Sequence, residues 1–342
     1  MDWFETLFGF REAGDAVRQK LLLQGQTLHS LANGRSFGAG TLELVSLQAL
    51  RARVAQRLKE DSAMAGPLKA SVVTDDVRRM HSQAVYAGAL FQVASQFNLL
   101  EMPSYDVTPE DGITGYVHDR TQGPACALAA AAATVYRNYF VPVEGAVGQC
   151  ADRQLNGLAD VGLALSRSLG LPVSALWTLR NGYALCSQSG LDAIGAHLST
   201  LDEVQLDALR GLLCIGVHSQ VQVTDMPPTN PVTVSQAFCS ALPVAYSRVP
   251  ESAWAPFATL VLEAAYEATL LAGVENALNG GSNIVLLTLL GGGAFGNRDE
   301  WIHGAIRRAL QRMEGLALDV RLVSYRSPRP DVLQLMDGYP HT

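Results

Sequence analysis

The stretch IVLLTLLGGGAFGN, residues 284 to 297, is the most informative part of this chain for its fold and its ligand. Its first seven residues are apolar apart from Thr288, which is typical of a strand buried on both faces of a sheet. Four glycines follow before a predicted helix: Gly291, Gly292, Gly293 and Gly296. Glycines between a buried strand and a helix bring backbone N–H groups close to an anion, usually a phosphate. A tight turn alone needs fewer glycines, so the pattern favours a phosphate loop.

The composition bounds the class of protein. The chain has 342 residues, 48% of them hydrophobic and 17% charged, which predicts a globular protein with a large core. Its net charge of −7 argues against a general nucleic-acid binder, because neutralising a phosphate backbone requires a basic surface. A small phosphorylated ligand is compatible with this charge.

The cysteines, the N-terminus and the apolar runs indicate a cytoplasmic protein that does not bind a membrane. The five cysteines are scattered without a CxxC pair, which fits a reducing compartment and predicts no metal site. The first residues, MDWFETLFGF, do not have the pattern of a signal peptide. No apolar run approaches the roughly 18 residues of a membrane span.

Residues 1 to 66 predict a helical N-terminal extension. Val17, Leu21 and Leu28 recur at helical spacing, and a second amphipathic run covers residues 42 to 58 after a glycine-rich break. We expect these helices to pack on the main domain, and the alternative is a surface that recognises a partner.

From residue 67 the pattern alternates between strands and helices. This predicts a mostly parallel sheet with helices on both faces, whose ligand lies beyond the carboxyl ends of the strands. Three segments then meet at one rim, namely Asp75 with Asp76, the residues after Ser95, and residues 291 to 297. The connection between residues 98 and 123 is long and ends where Pro124 begins an alanine-rich helix, and such long connections are often functional.

These rim segments resemble a macrodomain, the ADP-ribose-binding α/β fold, in its microbial poly(ADP-ribose) glycohydrolase-like branch. VVTDDV resembles the segment whose aspartate binds adenine, which places Asp76 and the adjacent Val77 there. FQVASQFN resembles the strand that ends near the distal ribose, with Asn98 as the matching asparagine. The family's diphosphate loop, Gly-Cys-Gly-Val-Phe-Gly-Asn, resembles a run in this chain: Gly291, Gly292, Gly293, Ala294, Phe295, Gly296 and Asn297.

The resemblance implies a three-layer α/β/α macrodomain-like mixed sheet. It places an ADP-ribose-binding domain over residues 67 to 342, with residues 145 to 225 as a family-specific insertion. The glycohydrolases carry a glycine triplet followed by Gln-Glu-Glu, and this chain lacks both in its long connection. It is similar in this respect to macrodomains of bacterial effectors that act on ADP-ribosylated ubiquitin and use aspartates there. The resemblance implies ADP-ribose as ligand and no cofactor.

Hydrolysis at the anomeric carbon of ADP-ribose needs a carboxylate that positions water or protonates the leaving group. Asp119 lies just before the predicted helix that begins at Pro124, and Asp111 lies in a Glu-Asp-Gly turn. We expect these two to be catalytic and rank the other acids of the connection, including Glu101, below them. Gln122 at the helix entrance is a further candidate ligand-binding residue, and Phe295 could close over the distal ribose.

The sequence therefore predicts an ADP-ribosylhydrolase that acts on a modified protein, with ubiquitin as one candidate. It is predicted to work in the cytoplasm, or in a host cytoplasm if it is a secreted effector. A reader that binds ADP-ribose without turnover is the first alternative. A thiol hydrolase is the second, because Cys126 lies in the first turn of the Pro124 helix, where a thiol pKa is lowered.

Overall fold

The computed structural model describes residues 2–14, 16–227 and 231–340. Its helices in these ranges are α1 Trp3–Phe8, α2 Ala16–Lys20, α3 Leu47–Glu60, α4 Val77–His81, α5 Gln122–Ala129, α6 Ala131–Val135, α7 Ala159–Leu169, α8 Val173–Leu176, α9 Gln188–Leu198, α10 Glu203–Gly211, α11 Glu251–Leu278, α12 Asp299–Arg312 and α13 Pro330–Gln334. Its strands there are β1 Leu21–Gln24, β2 Thr27–Ser30, β3 Ser36–Gly38, β4 Thr41–Ser46, β5 Lys69–Thr74, β6 Leu90–Ala94, β7 Pro142–Val143, β8 Ala146–Val147, β9 Trp177–Arg180, β10 Tyr183–Cys186, β11 Cys214–Gln222, β12 Thr233–Cys239, β13 Ile284–Leu287 and β14 Asp319–Ser324.

Seven strands form the central sheet, in the order β4-β11-β12-β6-β13-β14-β5. The five strands from β12 to β5 run parallel, and β11 and β4 are antiparallel to their neighbours. This confirms the predicted mixed sheet. The carboxyl ends of the five parallel strands share one edge, so the segments after β5, β6 and β13 meet at one rim as predicted.

Helices cover both faces of this sheet. Along β6, Leu90 packs with α3, α11 and α12, whereas the next residue, Phe91, packs with α4, α5 and α6. The strand β13 alternates in the same way, with Val285 on the first face and Leu286 on the second. Because neighbouring side chains of a strand point to opposite faces, the two helical layers enclose the sheet. The three-layer prediction is confirmed.

The helix α11 is the central helix of the first layer. By length and composition it could cross a membrane, but 89% of its most apolar window is buried inside the protein. Its apolar surface is thus accounted for by packing on the sheet, on α3 and on α12.

The helical prediction for residues 1 to 66 is wrong between Leu21 and Ser46. There β1, β2 and β3 form a small antiparallel sheet, and β4 is the edge strand of the central sheet. A two-residue turn joins β1 to β2, with Gly25 at φ 58°. Because this turn reverses the chain, the apolar residues before and after it belong to the two strands of a hairpin and not to one helix. Helices do occupy Trp3–Phe8, Ala16–Lys20 and Leu47–Glu60. The domain boundary at residue 66 stays a prediction.

The N-terminal segment holds the long connection between β6 and α5. The carboxylate of Glu12 accepts hydrogen bonds from the backbone N–H groups of Ile113 and Thr114, at 2.9 and 2.7 Å, and from the Tyr139 hydroxyl at 2.7 Å. The Trp3 indole donates to the Thr114 carbonyl at 3.0 Å. These contacts fix the middle of the connection to residues that are far from it in the sequence.

The segment predicted as an insertion, residues 145 to 225, contains α7 to α10, the hairpin β9–β10 and the sheet strand β11. The hairpin β9–β10 turns at Gly182, whose φ is 78°. Whether the segment is specific to a family stays a prediction.

Candidate functional site

A cleft of about 360 Å³ opens at the carboxyl ends of β6, β12 and β13. One side is the glycine loop, which we define as residues 291 to 296. The opposite side is the entrance of α5, and the residues after β6 form the floor. Its volume is within the 300 to 1,000 Å³ typical of small-ligand sites. The cleft lies where ligands of open α/β sheets bind.

The glycine loop contains backbone N–H groups without acceptors at the cleft. Gly291, Gly293, Ala294 and Phe295 line it. Within the described ranges, the N–H groups of Gly293, Ala294 and Phe295 donate to no acceptor, whereas the loop's ends are closed by Gly292 N to Leu289 O and Gly296 N to Gly293 O. Successive free N–H groups in a loop form an anion-binding concavity.

Side chains from beneath set the start of this loop. The Tyr266 hydroxyl donates to the Thr288 carbonyl at 2.7 Å and accepts from the Leu290 N–H at 2.8 Å. Gln92 accepts from the Thr288 N–H at 3.2 Å. Gly291 then turns the chain at φ 75°, where a Cβ would lie 2.4 Å from Ala241 Cβ. Only glycine fits that position without a shift of the loop.

The entrance of α5 faces the glycine loop across the cleft. Gln122, Gly123 and Pro124 line it, and Thr121, the N-cap residue, makes no capping hydrogen bond with its side chain. The N–H groups of Gln122 and Gly123 lack acceptors among the described residues, so the helix entrance attracts an anion. A Cβ at Gly123 would lie 2.0 Å from the Ala94 carbonyl oxygen, so glycine is needed for this close approach.

Gln122 lines the cleft, but its amide is already engaged. Its Oε1 accepts from the Ala94 N–H at 2.8 Å, and its Nε2 donates to the Gln92 carbonyl at 2.7 Å. The side chain thus extends the hydrogen bonding of β6 and fixes α5 to the strand end. For the predicted ligand contact, Gln122 therefore has its backbone N–H and the second hydrogen of its side-chain amide available.

Glu101, which the sequence ranked below Asp119 and Asp111, is a carboxylate of the site. It lines the cleft beside Gly123, although only 2% of its surface is exposed. Burial raises the pKa of this carboxyl to about 7, and the Arg137 guanidinium, 3.2 Å from Oε1, opposes that rise. The Glu101 N–H donates to the Tyr116 hydroxyl at 2.9 Å. Glu101 is therefore partly protonated near neutral pH, as a general acid must be.

Asp119 also lines the cleft, as predicted from its place before α5. It is half-buried, and its Oδ1 accepts from the Thr121 N–H at 2.8 Å. The cleft thus brings together Asp119 and Glu101 with two sets of free N–H groups. Its lining contains no lysine, arginine or histidine side chain.

An aromatic wall, which we define as Tyr183, Tyr246 and Phe295, closes one end of the cleft. The ring centroids of Tyr183 lie 5.3 Å from those of both Tyr246 and Phe295. The Tyr183 hydroxyl donates to the Met102 carbonyl at 2.8 Å, which places it next to the Glu101 loop. Phe295 was predicted to contact the ligand. Tyr183 and Tyr246, which pack against it, lie in segments where the sequence predicted no ligand contact.

Asn98 does not face the cleft, contrary to the prediction. It is fully buried, its Nδ2 donates to Gln154 Oε1 at 2.8 Å, and its Oδ1 accepts from the Leu100 N–H at 3.1 Å. Gln154 in turn donates to Asn181 at 2.9 Å, in the turn of the hairpin β9–β10. Through Gln154, Asn98 is therefore linked to the hairpin that carries Tyr183. Both polar atoms of its amide are used inside the protein.

Three other predicted residues lie outside the lining. Asp111 is exposed and accepts from the Thr108 N–H at 2.8 Å, as part of a local capping box away from the cleft. Asp76 lies on the same rim, at the end of β5, where it caps α4 by accepting from the Arg79 N–H at 3.1 Å. The Val77 side chain packs into the core beneath α4. The adenine contact assigned to Asp76 and Val77 stays a prediction.

The last predicted loop residues support the loop from behind. Asn297 is 4% exposed and donates from Nδ2 to the Leu242 carbonyl at 2.8 Å, and its Oδ1 is buried without a partner among the described residues. Gly292 and Gly296 complete the turn but are not part of the lining.

The thiol alternative is wrong. Cys126 is fully buried, it does not line the cleft, and burial raises the pKa of its thiol well above the ordinary value. A protonated thiol inside the core is not a nucleophile.

A second cleft, of about 370 Å³, opens at the opposite edge of the sheet. Its one carboxylate, Glu275, is paired with Arg53 at 3.0 Å. Because its described lining residues include neither a helix entrance nor an unpaired carboxylate, we take the first cleft as the candidate site. In the described part of the chain, no three His, Cys, Asp or Glu side chains group as a metal site would.

The sequence ranked Glu101 below Asp119 and Asp111, and the structure places Glu101 in the cleft together with Asp119. Arg137, Tyr183 and Tyr246 were not among the residues predicted from the sequence. One signal pointed to Glu101: it is the single charged residue in NLLEMP, a few residues after the buried strand β6. A lone charge in an apolar run is expensive to bury and so has a reason to be there.

Comparison with known proteins gives remote structural similarity. No protein-family model matches the sequence, and no curated protein matches it. The chain is similar to the poly(ADP-ribose) glycohydrolase of Thermomonospora curvata bound to the inhibitor ADP-HPD, with a TM-score of 0.43, 12% identity, and coverage of 98% of this chain and 94% of that one. It is also similar to that of Deinococcus radiodurans in complex with ADP-ribose, with a TM-score of 0.41, 13% identity, and coverage of 86% and 90%. Likeness at this level assigns neither an activity nor a ligand to this chain.

Proposed function

We propose that the cleft binds ADP-ribose and hydrolyses the bond between its distal ribose and a protein side chain. The observation that carries the proposal is one arrangement: Glu101, with a pKa of about 7, lines the same cleft as two sets of free backbone N–H groups. The N–H groups suit a diphosphate, and the carboxyl suits a proton transfer at neutral pH.

Binding would rest on the backbone. The diphosphate lies between the N–H groups of the glycine loop and those of the α5 entrance, so that its charge is met without a basic side chain. The macrodomain-like motif of residues 291 to 297 supports ADP-ribose among the diphosphates. The distal ribose then extends toward Glu101, Asp119 and the aromatic wall.

The chemistry would use the two carboxyl groups in different ways. The bond from the anomeric carbon to the side-chain N or O breaks through an oxocarbenium-like state, and Glu101 gives its proton to the leaving atom. Water adds to the anomeric carbon and passes a proton to Asp119, and the products are free ADP-ribose and the unmodified side chain. Glu101 suits the acid role because it is buried and partly protonated near neutral pH.

Calorimetry with free ADP-ribose and a release assay test the proposal together. We expect binding by the wild-type protein, release of ADP-ribose from at least one N- or O-linked substrate, and a drop of about 10³-fold in release by Glu101→Gln with binding retained. The matched control is Asp111→Asn, an equivalent change in the same connection outside the cleft, which should act as wild type. Absence of binding at millimolar concentration would contradict the proposal.

A reader without turnover is the second candidate, and one observation favours it: the connection lacks the Gln-Glu-Glu triplet of the glycohydrolases. Binding without release from any tested linkage would establish the reader.

We further propose a cytoplasmic site of action, either in the producing cell or in a host, and an ADP-ribosylated protein as substrate, with ubiquitin as the first candidate to test. The motifs of the long connection support this choice, and the release assay run on modified ubiquitin and on other modified proteins tests it.

A further inference from the structure

Arg137 lies directly beneath the cleft and is fully buried. It is carried by a π-helical turn, Tyr136–Phe140, which follows α6. Its Nε donates to the Leu99 carbonyl at 3.0 Å, and its Nη2 lies 3.2 and 3.3 Å from the two oxygens of Glu101. Its guanidinium lies over the Phe238 ring, 3.8 Å from the centroid.

A buried guanidinium is costly, and this one is incompletely paired. Its Nη1 is buried without a hydrogen-bond partner among the described residues, and Glu101 is its one ionisable hydrogen-bond partner. A buried ion pair is often no more stabilising than apolar residues of similar volume, so stability alone explains this arrangement poorly. The Arg137 contact instead fixes a carboxylate that lines the cleft.

Asp119 is the second carboxylate of the cleft lining, and the other groups packed on Glu101 inside the protein do not carry charge. Tyr116, from the turn before α5, and Cys126, on α5, are both fully buried, and burial raises both of their pKa values well above the ordinary ones. The Thr134 hydroxyl, which accepts from Arg137 Nη2 at 3.2 Å, is neutral. Arg137 is therefore the charge that governs the Glu101 carboxylate from within the protein.

We propose that Arg137 is a positioning residue, which holds the Glu101 carboxylate at the α5 entrance through Nη2 while Leu99, Thr134 and the Phe238 ring fix its own guanidinium. This inference rests on the proposed function. It assigns to the buried pair a role in turnover rather than in ligand affinity, because Arg137 itself does not line the cleft.

Removing the guanidinium tests the inference. We expect Arg137→Met to bind ADP-ribose as wild type and to release it roughly 100-fold more slowly, because a displaced catalytic group loses its alignment. The pH at which activity is lost should move upward, since the Arg137 charge lowers the Glu101 pKa. Arg137→Lys keeps the charge but not the planar fork, so it should lose rate with a smaller shift in pH.

The outcomes of these experiments distinguish failure of the positioning role from failure of the proposed function. A folded Arg137→Met variant with wild-type release and an unmoved pH profile would overturn the inference. If that variant does not fold, Arg137→Lys and Phe238→Leu replace it, and wild-type rates in both would overturn it equally. Titration of the Glu101 carboxyl by ¹³C NMR needs no turnover. If the wild type binds ADP-ribose but releases none, the proposed function fails, and an upward shift of the Glu101 titration in Arg137→Met would still support the positioning contact.

Discussion

The two walls of the cleft are built from different material. The glycine loop is exposed backbone, with Gly292, Gly293 and Ala294 all open to solvent. The opposite side, formed by the connection from β6 to α5, carries a buried side chain at the cleft, since its carboxylate Glu101 is 2% exposed. The glycine loop offers only N–H groups, which do not titrate, whereas the other wall adds to the N–H groups of the α5 entrance a carboxyl whose protonation depends on its burial.

This difference predicts a division of labour. Free N–H groups hold an anion at any pH, so the glycine loop should govern affinity. A buried carboxyl changes its charge near neutral pH, so the connection should govern turnover. Variants of each wall test this division.

The largest expected effect on the connection wall, apart from that of Glu101→Gln, belongs to Asp119→Asn. We expect release of ADP-ribose to fall by about 10³-fold, because the amide cannot accept the proton of the attacking water. The affinity for free ADP-ribose should change little. Single-turnover assays and calorimetry measure the two quantities, with Asp111→Asn as the exposed control. A loss of affinity equal to the loss of rate would contradict the division.

On the glycine wall, Gly291→Ala should mainly weaken binding. A Cβ there lies 2.4 Å from Ala241 Cβ and 2.7 Å from Asn297 Nδ2, at a φ of 75° that disfavours side chains. We expect roughly 100-fold weaker binding of ADP-ribose by calorimetry, equivalent to about 2.7 kcal/mol. Gly304→Ala on α12, where an added Cβ meets no atom within 4 Å, is the control and should bind as wild type. Unchanged affinity of Gly291→Ala would show that the loop does not hold the ligand.

The pH dependence of release should have a definite sign. In the proposed mechanism Glu101, with a pKa of about 7, is the acid, so its active form is protonated below that pH and is lost above it. We expect the release rate to fall by about tenfold for each pH unit beyond this point. Binding of free ADP-ribose should stay nearly constant over the same range. A rate that rises with pH instead would assign Glu101 the role of a base.

The smallest expected effect is in the aromatic wall. Tyr246→Leu removes a half-buried ring 5.6 Å from Phe295 and should weaken binding by about fivefold, in line with about 1 kcal/mol for an aromatic contact. Phe140→Leu removes a ring from the cluster beneath the N-terminal sheet and serves as control. If Tyr246→Leu binds as wild type, the wall is packing rather than a ligand surface.

The glycine loop could be predicted from the sequence because its geometry is encoded locally. Glycines after an apolar strand fix where the chain turns, and Pro124 in the first turn of α5 marks the opposite side. The parallel part of the sheet followed from the alternation of strands and helices.

The side of the cleft that carries Glu101 was harder to predict because its properties depend on distant parts of the chain. The pKa of Glu101 depends on burial and on Arg137, which lies 36 residues away. Asn98 reads as a ligand contact in the motif, yet Gln154 and Leu100 use both atoms of its amide. The strands between Leu21 and Ser46 were missed because the two-residue turn at Gly25 was read as part of a helical repeat.

The most direct test of the central claim is a crystal structure of Glu101→Gln with ADP-ribose. The prediction is that the diphosphate lies between residues 291 to 296 and the α5 entrance, with the anomeric carbon of the distal ribose within about 4 Å of the side chains at 101 and 119, near the 3 to 3.5 Å of reacting atoms. A ligand whose distal ribose points away from both residues, or that occupies the cleft at the opposite edge of the sheet, would contradict it.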